Sequence, residues 1–179
     1  VETLFLTGHD NAGNLTPGVD VYGGSAVRVC WGQNVDKNDP KAPALEAVLY
    51  YQKSTGEVRV GREGYDPNKA RRDGSNNFAF ANQGTGSCPP PVSYKFAHNI
   101  LLKDLGLDEM NGDTPLFMRF RLLYNENTPH VVAAVAAGGS FPSQGVILSS
   151  LGTSGSANQR VQVILRYPDL PLMFDNALF

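Results

Sequence analysis

A chain of 179 residues, 41% apolar and 18% charged, holds enough material for one domain with its own core, and its 19 glycines and 12 prolines make it turn-rich without the composition of disorder. The net charge of −2, with nothing more basic than the cluster Lys69, Arg71, Arg72, excludes the electrostatic footprint of a nucleic-acid binder, so no nucleic acid is expected among its partners. The longest apolar run, residues 131–137, has the length of a strand and falls far short of the about 20 residues a membrane helix needs.

Residues 1–8 place Val1, Leu4 and Phe5 at i, i+3, i+4, with Gly8 as a stop, which predicts the last turns of a helix. Residues 9–18 read as loop. SAVRVCW alternates Val27, Val29 and Trp31 against Ala26, Arg28 and Cys30. ALEAVLYYQK suits helix by its Ala, Leu and Glu and strand by its alternation; the Val-Leu-Tyr-Tyr end and the Ser-Thr-Gly turn after it favour strand, paired as a hairpin with EVRVGRE. Residues 64–91 form a long irregular stretch, tied by Cys88 and anchored to the core through Phe78 and Phe80; loops of this length are usually functional or tethered. VSYKFAHNILL then alternates, and a turn-rich connector leads to PLFMRFRLLYN, where Leu116, Met118, Phe120 and Leu122 face one way. HVVAAVAA, GVILSSL and RVQVILRY follow, the last two joined by a turn around Gly152, Thr153, Ser154 and Gly155, and YPDLPLMF closes the chain as an extended segment. The fold expected is mainly β, an antiparallel sheet or sandwich of about eight or nine strands, with residues 9–179 as a single β-rich domain.

Cys30 and Cys88 share no metal-type spacing with each other or with His9, His98 and His130. They read as one disulfide of an oxidising compartment, or else as two separately buried thiols. Catalytic signatures are absent: no HExxH, no phosphate loop, no CxxC, and Gly152, Thr153, Ser154 and Gly155 precede a strand where a nucleophile elbow needs a helix. No cofactor is expected. Asp36, Asn38 and Asp39 are followed by Pro40 with no glycine or bidentate glutamate at EF-hand spacing, and Asp73, Ser75 and Asn77 alternate as irregular calcium ligands do. Asn14, Leu15 and Thr16 match a glycosylation sequon. Trp31, beside Cys30, reads as core in preference to a sugar platform. An enzyme reading requires two facing carboxylates, and nothing selects a pair from Glu46, Asp66 and Asp113. On a rigid β scaffold the exposed loop is the natural contact surface, which makes Arg71, Arg72, Asn76 and Asn77 the candidate contact residues.

The second half carries a resemblance. Ser140, Phe141, Pro142, Ser143, Gln144 and Gly145 precede an apolar strand and then Gly152, Thr153, Ser154 and Gly155. Arg160, Val161, Gln162 and Val163 follow, then Arg166, Tyr167 and Pro168, Leu170 and Pro171, Phe174 and Asp175. With earlier echoes at Trp31 and Gly32, ALEAVLYYQ, Asp66 and Pro67, Arg71 and Arg72, and Pro115 to Asn125, the chain resembles PilX-like minor pilins and related pilin-like proteins of type IV filaments from about Val27 onward. The resemblance implies an N-terminal hydrophobic helix, absent from this sequence. That helix anchors in the membrane before assembly and packs in the filament core afterwards, and residues 1–8 would be its end. It implies a structural subunit of a bacterial surface filament, partnered by other pilin subunits, and not an enzyme. The alternative is a secreted carbohydrate- or protein-binding β-sandwich of adhesin type.

Overall fold

A computed structural model of the chain describes residues 2–81, 84–126, 128–154 and 157–168. Ten strands make the fold mainly β: β1 (Glu2–Phe5), β2 (Ala26–Trp31), β3 (Ala44–Gln52), β4 (Val58–Asp66), β5 (Ala79–Phe80), β6 (Phe96–Leu101), β7 (Thr114–Leu123), β8 (Ala133–Ala136), β9 (Gly145–Ser154) and β10 (Ala157–Arg166). They form a five-stranded sheet in the order β1-β7-β3-β4-β5, a three-stranded sheet β6-β2-β8, and a separate ribbon β9-β10. All pairings are antiparallel except the short β4–β5 contact.

The first two sheets close on one core. Val27, Val29 and Trp31 of β2 with Phe96 and Ile100 of β6 meet Leu45, Ala47 and Leu49 of β3, Met118 and Phe120 of β7, and Leu4 of β1. Each set comes from one face of an alternating strand, so pairing the backbones brings the apolar faces together. Trp31 is wholly buried and donates its indole N–H to the Pro43 carbonyl at 2.8 Å. It is therefore core and not a binding platform. Tyr22 is the polar tie of the same region: its hydroxyl donates to the Ala26 carbonyl at 2.6 Å and accepts from the Ala137 N–H at 2.9 Å.

The expected helix end at residues 1–8 is corrected. Glu2–Phe5 is a strand that pairs with Phe117 to Phe120. The spacing of Val1, Leu4 and Phe5 is shared by a helix face and by a short strand buried on both sides, and here Leu4 enters the main core while Phe5 enters a second cluster. That second cluster, Phe5, Val48, Tyr50, Leu116 and Phe117, lies on the opposite face of the five-stranded sheet, under Leu15 and Tyr167. Both Tyr50 and Tyr51 are consequently buried, on opposite faces. Leu116 departs from the expected face because the β3–β7 register shifts between Tyr50 and Tyr51, leaving Leu116 as the extra residue of a bulge. The disulfide between Cys30 and Cys88 is formed, with a Cα–Cα distance of 6.0 Å, and fastens the loop before β6 to β2 beside Tyr94 and Ala97. The closing segment beyond Pro168 and the centre of the β9–β10 turn lie outside the described residues.

Candidate functional site

Asp66 ends β4 and is followed by Pro67, which stops the strand and sends the chain into a single α turn, Lys69–Arg71, and a π turn, Arg72–Asn76. Asn68 caps the first turn, its side chain accepting from the Arg71 N–H at 3.1 Å. This brings Arg71 back over the strand end. Its Nε and Nη2 donate to the two Asp66 carboxylate oxygens at 2.9 and 2.8 Å, and Nη1 and Nη2 also donate to the Pro40 and Ala42 carbonyls at 2.7 and 2.6 Å. The Asn68 N–H and Asn76 Nδ2 donate to the same carboxylate at 2.8 and 2.7 Å. Arg72 donates to the Asp66 carbonyl at 2.7 Å and lies over the Phe80 ring. Burial alone would raise the Asp66 carboxyl, but the hydrogen bonds from Arg71, Asn68 and Asn76 overcome it and hold the group below its ordinary value.

Of the four residues proposed from sequence as a contact surface, Arg71, Arg72 and Asn76 thus converge on Asp66 as an internal strut between β4 and the loop at Pro40 and Ala42. Asn77 stands apart, exposed and in the left-handed conformation that ends the π turn. The exposed residues of the loop are Asp73, Gly74, Ser75, Phe80 and, of the four proposed, Asn77, while Arg71, Arg72 and Asn76 are half-exposed. Phe80, expected in the core, is 55% exposed because the parallel pairing of Asp66 with Phe80 turns that ring out under Arg72. Phe78, also expected in the core, is half-buried against Gly64 and joins none of the core clusters. Asp73 is engaged by Lys69, and Asp36 and Asp39 accept backbone N–H groups of their own turn. Among the described residues no three His, Cys, Asp or Glu side chains converge as metal ligands.

His98 lies on β6 with its ring 4.3 Å from that of Tyr65, and its Nδ1 is buried without a hydrogen-bond partner. Burial, then the nearby Arg28 charge, pushes the imidazole below its ordinary value against an opposing pull from Asp104. Burial, then Glu63 and Asp104, pushes the Tyr65 phenol well up. Both groups are neutral at pH 7. His130 accepts the Gln33 N–H at 3.1 Å, and His9 stacks on Tyr167 with ring centroids 3.8 Å apart.

The most exposed surface of unusual chemistry is the ribbon β9–β10. Its strands pair over ten positions, Gly145 with Arg166 to Ser154 with Ala157, and among the described residues no third strand joins them. Val146, Ile147, Leu148, Leu151, Val161, Val163, Ile164 and Leu165 are all exposed. The root is fixed by Gln144, whose Oε1 accepts the Phe5 N–H at 2.8 Å and whose Nε2 donates to the Phe5 carbonyl at 2.9 Å. Between this root and β1 runs a cleft of about 740 Å³ lined by Leu4, Phe5, Ile147, Ile164, Arg166 and Tyr167, among others. Sequence reasoning recognised both strands but missed that neither face is covered.

These features define a class in structural terms: a disulfide-tied, mainly β domain that carries a separate, exposed apolar hairpin. No family model, curated protein or solved structure matches the chain.

Proposed function

We propose that the chain is the outward β domain of a structural subunit, a minor pilin or pseudopilin of a type IV pilus or related secretion filament, acting by assembly and not by turnover. The observation that carries this reading is where the resembling motifs fall. The segment from Ser140 to Gly145, the turn residues Gly152, Thr153 and Ser154, and the stretch from Arg160 to Pro168 together build one device: the Gln144 root, the ribbon and its return to Tyr167. An exposed ribbon with apolar side chains on both faces is a surface for packing against other subunits. The disulfide fits an extracellular or periplasmic location. Because β1 is a strand, an upstream anchor helix would have to end before Glu2.

The test is to read the codons preceding Val1 and to express the full gene product, epitope-tagged, in its own cell. A leader and an apolar helix upstream, with tag recovered in filaments sheared from the surface, are the expected result. A product secreted free, with neither leader nor apolar helix, refutes the reading and favours the adhesin-type alternative.

A further inference from the structure

The two faces of the ribbon differ in a way that selects an occupant. Directly paired residues share a face. One face therefore carries Val146 with Leu165, Leu148 with Val163, and Ser150 with Val161. The other carries Ile147 with Ile164, Leu151 with Arg160, and Gly145 with Arg166. Arg160 and Arg166 are the ribbon's only charged residues, and both lie on the second face. At its root this second face borders the body, where Ile147, Ile164 and Arg166 line the cleft against β1 and Arg166 approaches Glu2 at 3.7 Å, yet Ile147, Leu151 and Ile164 stay 65–70% exposed, so what separates the two faces is charge and not cover. None of the five apolar residues of the first face lines that cleft, and each is between 44% and 54% exposed.

We propose that this uncharged face is a self-association surface, which stacks on the same face of a second copy of the chain. Charge and area both point to a twin. Two copies meeting by this face bring no like charges together, since all four arginines stay on the outer sides. An anionic or acidic partner would call for the arginine face instead. Ten-residue strands span about 33 Å, so one face of the ribbon against its twin buries on the order of 500–600 Å² per copy. That sits at the lower edge of specific interfaces, the range of weak and reversible association. It also supplies what a lone hairpin lacks, since two strands without a packed face are marginal in water. The inference does not rest on the filament reading: it concerns the isolated domain, and a failure to find filaments would leave it standing.

The experiment is sedimentation velocity on the 179-residue chain over about 5–500 µM, a range in which weak association shows as a concentration-dependent shift, with variants at adjacent positions of β10. Val163→Lys changes the uncharged face and Ile164→Lys the arginine face. Both side chains are exposed, so neither change disturbs the body, and an intact disulfide with an unchanged far-ultraviolet spectrum checks this. Leu148→Lys, on the partner strand of the same face as Val163, is the second probe. Concentration-dependent dimers in the parent and in Ile164→Lys, with loss of at least tenfold in affinity in Val163→Lys and Leu148→Lys, are expected. A parent that stays monomeric throughout, dimers that survive both uncharged-face variants, or dimers abolished by Ile164→Lys alone overturn the proposal.

Discussion

Replacing Arg71 by Ala should be the most damaging single change in the loop that follows β4. The Asp66 side chain is completely buried, and Arg71 is itself only 14% exposed. Arg71 supplies two of the four hydrogen bonds that reach the Asp66 carboxylate and also satisfies the Pro40 and Ala42 carbonyls. The alanine variant leaves a buried carboxylate with only the Asn68 N–H and Asn76 as donors, and strips the stacking partner from Tyr124. Removing one member of a buried ion pair costs about 3–5 kcal/mol, because the other charge stays behind uncompensated. In a domain of this size that corresponds to a fall in Tm of roughly 6–20 °C. The pair's electrostatic share is isolated by a double-mutant cycle with Asp66→Asn, followed by urea unfolding. The double variant should lose less than the sum of the single ones, since the neutral amide no longer demands a cation. The acid limb gives a second readout. Asp66 is held below its ordinary value of 3.8, so its contribution is complete above that pH and fades as pH falls through the folded-state value. A loss of under about 1 kcal/mol in Arg71→Ala, or strict additivity in the cycle, would refute the strut.

The disulfide closes a loop across 58 positions, so exchanging both Cys30 and Cys88 for Ala should lower stability by about 4 kcal/mol on the chain-entropy model, read from urea midpoints. Two alkylatable thiols in the native protein would contradict it. Stability should also fall as pH drops below 6.5. The unfolded chain takes up protons there that buried His98 refuses, so the contribution is full above 6.5 and is lost down to the folded-state value. His98→Gln should flatten that slope, and an unchanged pH profile would count against the neutral, buried imidazole. At Gly61 a Cβ would stand 1.8 Å from the Leu105 carbonyl oxygen, so Gly61→Ala must push the turn Leu102–Leu105 off β4 at a cost of about 1–3 kcal/mol. Gly74→Ala, with open space around its Cβ, is the matched control and should stay within about 0.5 kcal/mol of the parent in the same denaturation series.

The strands were legible wherever side chains alternate over six or more residues between turn signals. Those signals define β2, β3, β4 and β7, including the hairpin of β3 with β4. What failed was local. Over residues 1–8 the chain is too short for helix and strand periods to separate, and pairing with β7 decided the matter. Leu116 changed face through a bulge whose position depends on β3, a partner 60-odd residues away in the chain. The internal ties of the loop after β4 were hidden for a related reason. Arg71 and Arg72 look like solvated surface until Asp66 is recognised as buried, and only β4's place in the sheet buries it. A sharper reading of Asp66, Pro67 and Asn68 as strand stop, turn and cap, with Arg71 at the third residue after the cap, could have found the strut. The ribbon is the opposite case. GVILSSL and RVQVILR carry the apolar content of core strands, and that content reports a capacity for burial without naming what does the burying.

That distinction bears on how copies of this domain could meet. A β protein has two routes to association, by adding strands at a sheet edge or by stacking faces. At β1 the edge is capped, since Gln144 occupies both backbone groups of Phe5. At the other end of the sheet β5 covers only Tyr65 and Asp66, and the rest of β4 presents Arg59, Arg62 and Glu63 among its exposed or half-exposed residues, charges of the kind that discourage edge pairing. The ribbon has neither protection on its uncharged face: five neighbouring apolar side chains, no charge and no covering element among the described residues. Stacking through that face is thus the association the surface leaves open, whether the domain acts alone or within a filament. In a filament the constraint would be geometric. A two-fold stack of ribbons closes on itself, so it can join two subunits but cannot propagate. Continuous growth would then depend on contacts outside the ribbon, and Val163→Lys should weaken pairing of the isolated domain without stopping filaments from forming in the cell.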